Sequence, residues 1–147
     1  MVWFFFNGIF LFLLGHFLAA LSVYLNHRFV FHGKIGKLPI LRYFRKLHGL
    51  HHAHAYDEHR NKYFEPLWFK ILFFCFLFFA GIFINFPFTL GLLSFGSLYS
   101  YRHFSIHNED QESYFSTHHR IHHCDDYRVN FSGIYPQIDI IFGTSKK

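Results

Sequence analysis

Histidines are the residues of this sequence most able to do chemistry, and ten of its 14 fall into four spaced clusters. Clustered protonated imidazoles repel one another, and clustered neutral ones buried near a membrane leave polar nitrogens unpaired. Such clusters therefore need a compensating partner, and a metal cation is the simplest one. In chain order the clusters are HRFVFH, HGLHH, HFSIH and HRIHH. The predicted ligands are His27, His32, His48, His51, His52, His103, His107, His119, His122 and His123.

The two HxxHH clusters have a spacing that suits a helix. Positions i, i+3 and i+4 share one helix face, so each cluster is expected to present three ring nitrogens in one direction. Ten imidazoles exceed the capacity of one metal, whereas two metals with up to five ligands each would use them all. A structural zinc site usually closes with four ligands, so the surplus favours catalysis over a structural site. Histidines scattered over the surface are the simpler alternative.

The remaining histidines leave alternatives open. His16 precedes His27 by 11 residues, which returns it to within about 20° of the same helix face. It could line the path of a lipid substrate, or be a buried histidine that is hydrogen-bonded to a neighbouring helix. His118 is four residues before His122, so spacing alone does not decide between His118 and His119 as the ligand.

Acidic residues follow both HxxHH clusters, at Asp57, Asp125 and Asp126. A carboxylate there could accept the second N–H of a ligand imidazole and fix its orientation, as His118 could also do from the second shell of ligands. A solvated acidic cap is an equally good reading of these carboxylates.

The elements that must position these residues are membrane helices. Hydrophobic residues make up 52% of the 147 residues and charged residues only 16%, which argues against a soluble or disordered chain. Residues 1–25 and 71–101 contain no Asp, Glu, Lys or Arg. The sequence predicts an all-α protein with about three spans, near residues 3–25, 67–84 and 88–103, and a turn at residues 85–87 between the last two.

The polar segments 26–66 and 102–147 would then lie on one side of the membrane and form a helical, His-rich, metal-binding cap. Segment 26–66 holds 8 Lys and Arg against 3 Asp and Glu, which indicates the cytoplasmic side. We therefore expect a single multi-pass membrane domain over residues 1–147. The terminal Ser145-Lys146-Lys147 does not match a dilysine retention signal, so a bacterial inner membrane is preferred over the endoplasmic reticulum.

The four ordered motifs resemble the fatty acid hydroxylase and sterol desaturase superfamily, whose pattern is a spaced His pair, HxxHH, a second pair and HxxHH. The resemblance covers about residues 24–144, including Phe142-Gly143-Thr144, which is similar to the FGT of many members. It implies two iron ions held by the ten histidines, with zinc able to substitute in purified samples. It also implies O2-dependent oxidation of a C–H bond in a fatty acyl, sterol or similar lipid taken from the bilayer.

No GxGxxG motif for a flavin or nicotinamide is present, so a separate reductase, ferredoxin or cytochrome is expected to deliver electrons. Basic residues 42–46 could dock an acidic partner, or simply contact anionic headgroups. A homodimer could close the substrate tunnel of so short a chain. Nucleic-acid binding is not expected, because the basic residues lie beside the spans.

Three alternatives stay open at this point. A carotenoid ring hydroxylase has comparable His spacing, and desaturation or sterol C4-methyl oxidation could follow from the same chemistry. A non-catalytic membrane protein that binds or transports metal would also use imidazoles near the interface.

Overall fold

The computed structural model describes residues 2–56, 85–108 and 112–147, together with Ile71, Cys75, Phe79 and Phe83. These parts of the chain are helical and contain no strand, which confirms the predicted all-α class. The α-helices are α1 (Val2–Leu25), α2 (Arg42–His54), α3 (Phe86–Asn108), α4 (Tyr114–Arg120) and α5 (Pro136–Ile141). Two wider π-helical turns continue α1 and α4, over Asn26–Phe31 and Ile121–Asp125, and a 3-10 turn covers Ile35–Lys37.

The first helix has the length and composition of a membrane span. Helix α1 and the π turn that continues it include the range Phe5–Phe31, which contains an 18-residue window with a mean hydropathy of 2.1. Much of its surface is exposed and apolar, including Phe10 and Phe17, as expected for a helix that faces lipid. It is the one helix in the described parts of the chain that is long and apolar enough to cross a membrane.

The other two predicted spans have different outcomes. Helix α3 covers the predicted third span and extends beyond it to Asn108. The predicted turn begins as expected, because Asn85 is not helical and its Oδ1 accepts a hydrogen bond of 3.1 Å from the Phe88 N–H, capping α3. Most of the predicted second span, 67–84, lies outside the described residues, so the number of spans stays a prediction.

Helices α1 and α3 pack with their backbones close together, and two glycines make this possible. A Cβ atom added at Gly91 would overlap the Phe12 carbonyl and lie 2.8 Å from the His16 nitrogen. One added at Gly15 would overlap the Phe88 carbonyl. Small residues are the usual means of close helix packing in lipid.

The C-terminal segment packs on the same helix pair and completes a small core. Tyr24 of α1, Phe95 of α3, and Phe131 and Ile138 of the C-terminal segment are all buried there. Helix α5 ends at Ile141 and is followed by Gly143, whose φ of 66° is in the left-handed region that favours glycine. The Gly143 N–H binds the Ile140 carbonyl and the Thr144 N–H binds the Asp139 carbonyl, so the FGT sequence forms a Schellman helix end.

Candidate metal centre

The ten predicted ligands come together in two groups of five. Within each group, one nitrogen per ring lies within 4.8 Å of the corresponding nitrogens of the other four rings. The first group contains His27, His32, His48, His52 and His122. The second group contains His51, His103, His107, His119 and His123.

Each HxxHH cluster is divided between the two groups, contrary to the expectation that its three rings share a direction. His48 and His52 of α2 join the first group, whereas His51 between them joins the second. The second cluster does the reverse, because His122 joins the first group while its neighbours on either side join the second. Positions i+3 and i+4 diverge by about 100° on a helix, which is enough to serve two adjacent sites.

The π turns explain how histidines five residues apart can share a site. In an α-helix, His27 and His32 would differ by about 140° in direction. The turn over Asn26–Phe31 is wider, and the His32 N–H binds the His27 carbonyl at 3.1 Å. Their ring centroids are consequently 5.1 Å apart. Single π turns inside helices are frequent at functional sites.

His48 lies at the centre of the first group. Its Nε2 is 3.0 Å from Nε2 of His27, 2.9 Å from that of His32 and 3.0 Å from that of His52. An imidazole nitrogen carries either one proton or one lone pair, so it cannot satisfy three such neighbours by hydrogen bonding. The convergence is compatible with a cation between the nitrogens.

His119 has the same place in the second group. Its Nε2 is 3.0 Å from the Nε2 atoms of three rings: His103, His107 and His123. Four of the five rings in this group are buried, whereas three of the five in the first group are half-buried. The second group is therefore the more enclosed of the two.

Two backbone carbonyls fix the tautomers of two rings in the first group. His27 donates from Nδ1 to the Phe131 carbonyl at 2.6 Å, and His122 donates from Nδ1 to the Val129 carbonyl at 2.7 Å. A carbonyl only accepts, so in each neutral ring the proton is on Nδ1 and the Nε2 lone pair faces the group. This is the arrangement that a metal-binding imidazole needs.

Burial keeps the rings of the cap in their neutral form. Together with a smaller effect of the neighbouring imidazoles, it lowers the pKa of His51 to about 2 and the pKa of His122 to about 3. The pKa of His52 falls to about 4 through burial. At neutral pH these nitrogens therefore offer lone pairs to a cation.

The spacing of the nitrogens fits a cation with ligands at right angles. Metal–nitrogen bonds of about 2.1 Å give neighbouring nitrogens about 3.0 Å apart at 90° and about 3.4 Å apart in a tetrahedron. The closest Nε2 pairs in both groups are 2.9–3.1 Å apart. Five imidazoles in such an arrangement suit iron, copper, nickel or zinc with an open position, and fit a four-ligand structural zinc site poorly.

The two groups are adjacent. The His52 ring of the first group stacks on the His123 ring of the second, with centroids 4.1 Å apart and planes 26° apart. His51 and His52, and His122 and His123, connect the groups through neighbouring positions in the chain. Two bound cations would thus occupy neighbouring sites.

A cavity of 320 Å³ reaches the first group. Three rings of that group, those of His32, His48 and His52, form part of its wall. Arg45 and Tyr127 also line it, and the Arg45 guanidinium donates to the Gly33 carbonyl. The first group is accordingly open to small molecules on this polar side.

The residues predicted to orient the ligand imidazoles have other partners or positions. Asp126 pairs with Arg128 at 2.8 Å, and Asp125 is an exposed residue at the cavity wall. His118 joins neither group and contacts Asp139 at 3.1 Å. Asp57 is outside the described residues, so its predicted role is untested.

His16 is held between helices, which matches the second of its two readings. Ser94 donates its only hydroxyl proton to the Gly91 carbonyl, so its Oγ accepts from His16 Nδ1 at 2.8 Å. His16 Nε2 then accepts from the Tyr135 hydroxyl at 2.9 Å. Both ring nitrogens are therefore engaged, and the ring connects α1, α3 and the start of α5.

Sequence reasoning missed the groups that orient the first five ligands. The carbonyls of Val129 and Phe131 belong to residues with no chemical signature, and Asp139, which holds this segment, is 16 residues beyond the last predicted ligand. Asn130 is the one partial signal, since asparagine is enriched in the left-handed conformation that it adopts here, with φ of 57°.

Comparison with known proteins agrees with this geometry. Neither a curated protein nor a solved structure matches the chain significantly. The family model described as Fatty acid hydroxylase matches residues 12–144, a range that contains all ten histidines of the two groups. The match covers most of the chain and the whole of its histidine site, and by it the chain belongs to the fatty acid hydroxylase family.

Proposed function

We propose that this protein is an integral-membrane di-iron oxygenase that hydroxylates a C–H bond of a fatty acyl chain, a sterol or a similar lipid. The observation that carries the proposal is the pair of adjacent five-imidazole groups, because two redox-active ions side by side can share the electrons needed to reduce O2. Bound iron would supply the reductive activation of O2 that an unactivated C–H bond requires.

The overall reaction needs an electron donor. One lipid C–H group, one O2, two electrons and two protons give one C–OH group and one water. We propose that a separate reductase, ferredoxin or cytochrome supplies the electrons, docking on the cytoplasmic side. Basic residues of α2 such as Arg42 and Lys46 offer charge for an acidic partner. A bacterial inner membrane and a homodimer are parts of the same proposal.

The apolar surroundings support a lipid as the substrate. Along one face of α3, at four-residue spacing, the rings of Phe95, Tyr99, His103 and His107 follow one another with centroids 4.8–5.9 Å apart. This ladder joins the part of α3 that packs on the span to the second group. Because Phe95, His103 and His107 are buried, the ladder keeps water away from the second group on the side of the span.

The test is product formation from O2 labelled with ¹⁸O. Purified protein loaded with iron would be reconstituted with membrane lipids, ferredoxin, ferredoxin reductase and NADPH, and the lipids analysed by mass spectrometry. Hydroxylation transfers label to a lipid, whereas desaturation removes two hydrogens without label. The quadruple variant His48→Ala, His52→Ala, His119→Ala, His123→Ala is expected to abolish the product.

His54→Ala is the matched control, because His54 is on α2 but in neither group. It is expected to keep activity. Iron bound in both groups with no oxidised lipid of any class would contradict the proposal and favour a metal-binding or transport protein. Labelled carotenoid rather than acyl lipid or sterol would point to a carotenoid ring hydroxylase.

A further inference from the structure

Asp139 is a buried carboxylate that belongs to neither histidine group. It is 0% exposed, and both of its oxygens are occupied. Oδ1 accepts from the Phe131 N–H at 2.8 Å and from the Thr144 hydroxyl at 2.7 Å. Oδ2 accepts from the Ser132 N–H at 2.9 Å, from the Ser132 hydroxyl and from His118 Nε2 at 3.1 Å.

These hydrogen bonds are more than one buried carboxylate needs to offset the loss of its hydration. Burial alone would raise the pKa of Asp139, but the hydrogen bonds from His118, Ser132 and Thr144 hold it below its usual value. Two of the donors are backbone N–H groups of consecutive residues, so the carboxylate fixes the path of the chain at Phe131 and Ser132.

The same backbone segment contacts two rings of the first histidine group. The peptide group between Phe131 and Ser132 is bound at both ends, because the Ser132 N–H donates to Asp139 and the Phe131 carbonyl accepts the Nδ1 proton of His27. Two residues earlier, the Val129 carbonyl accepts the Nδ1 proton of His122. Through one backbone segment, then, Asp139 sets the position of the acceptors for two metal-binding rings.

Asn130 holds the turn between these two carbonyls. It adopts a left-handed φ of 57°, and its side chain donates to the His118 carbonyl at 2.8 Å and accepts from the Lys146 N–H at 2.7 Å. Its own N–H binds the Thr144 carbonyl at 2.8 Å. Asp139 and Asn130 thus secure the segment from both sides.

We infer that Asp139 is a positioning residue for the first histidine group, acting through the backbone carbonyls of Val129 and Phe131 on the rings of His27 and His122. The inference rests on the proposed function, since it requires that the group binds a metal. Removing outer hydrogen-bond partners of metal ligands typically weakens metal binding by roughly 10–100-fold. The loss is expected in the first group, because both oriented rings belong to it.

The test compares iron binding by the whole chain in detergent, using chelator challenge and elemental mass spectrometry. The wild type is expected to hold about two irons. Asp139→Asn keeps the size of the side chain but presents an amide to donors that need an acceptor. It is expected to release one iron about 10–100-fold faster and to keep the other as the wild type does.

Two backgrounds identify which iron is released. With His119→Ala and His123→Ala the second group is removed, and adding Asp139→Asn should take the remaining iron away. With His48→Ala and His52→Ala the first group is removed, and Asp139→Asn should leave the remaining iron unchanged. Asp126→Asn is the matched control, because this half-buried carboxylate accepts from the backbone and guanidinium of Arg128 and not from Phe131 or Ser132.

A purely structural role for Asp139 would lower the retention of both irons together with thermal stability, and that result would overturn the inference. Wild-type retention of both irons in Asp139→Asn would overturn it as well, leaving the proposed function intact. A wild-type chain that binds no iron would overturn the proposed function and this inference with it. If Asp139→Asn does not fold, Ser132→Ala removes one donor from the same carboxylate, and it should weaken the first iron several-fold.

Discussion

At the scale of single residues, the site is built from imidazoles in which one nitrogen has more close nitrogen neighbours than hydrogen bonding can satisfy. His48 and His119 each stand within about 3.0 Å of three other ring nitrogens. Burial keeps these imidazoles neutral, so a cation bound between their nitrogens would stabilise the site. Each HxxHH cluster contributes rings to both groups, and this division can be tested by mutation.

The first prediction compares two double variants that look alike in sequence. His48→Ala with His52→Ala removes two ligands from the first group, whereas His48→Ala with His51→Ala removes one from each. We expect the first variant to keep one iron that resists a chelator as in the wild type. The second should keep no iron of wild-type resistance, because both groups are weakened. The same chelation kinetics in both variants would contradict the grouping.

A second prediction concerns His16, whose two ring nitrogens bind Ser94 and Tyr135. His16→Ala and Tyr135→Phe should each lower thermal stability, and the double variant should lose less than the sum. The coupling free energy should be about 0.6–1.7 kcal/mol, as for polar contacts between membrane helices. Iron content should not change. Additive losses would show that the two side chains do not interact.

How far the sequence predicts the site depends on the residue. All ten histidines could be found because imidazole has a distinctive chemistry and the spacing repeats. Their division into two groups could not, because it depends on the direction in which α2 and α4 cross the site. Asp139 could not be found either, since its effect on His27 passes through the peptide group between Phe131 and Ser132, which carries no side-chain signal.

At the scale of elements, the backbone geometry of two π turns brings ligands together that α-helical spacing would keep apart. The two π turns begin where α1 and α4 end, and both carry ligands of the first group. Nothing in the sequence distinguishes a π turn from an α-helix, because the difference of one residue per hydrogen bond is set by the packing of the rings. The Schellman end at Gly143 is more predictable, since glycine favours the left-handed region that it requires.

The third prediction tests the close approach of α1 and α3. Gly91→Ala places a methyl group against the Phe12 carbonyl, so the helices must move apart, at a cost of about 1–3 kcal/mol. Gly49→Ala on α2 is the matched control, because the added group meets no described atom within 4 Å apart from its chain neighbours and its own helix backbone. The control should raise stability by about 0.5–1 kcal/mol through helix propensity. Thermal unfolding in detergent measures both, and equal effects would contradict the packing.

At the scale of the whole molecule, the C-terminal segment connects the histidine groups to the apolar helix α1. Tyr135 reaches His16, which is 11 residues before the first ligand and therefore about 16 Å along α1. The segment thus descends along the apolar helix rather than remaining on the polar cap. Helix α5 carries its exposed apolar side chains there: Ile140, Ile141 and Phe142 are 58%, 74% and 45% exposed. Beside a candidate membrane span, such a surface is suited to contact with lipid.

The last prediction places α5 in the bilayer. In a chain whose two tryptophans are replaced by Phe (Trp3→Phe, Trp68→Phe), Ile141→Trp should be quenched strongly by lipids with brominated acyl chains. Tyr127→Trp is the control, because Tyr127 is exposed between Asp126 and Arg128 and should face water. Quenching of the two probes to the same extent would contradict the placement of α5. Selective quenching at Ile141 would show that the C-terminal segment lies at the lipid boundary. The carbonyls that orient His27 and His122 lie a few residues earlier in the chain.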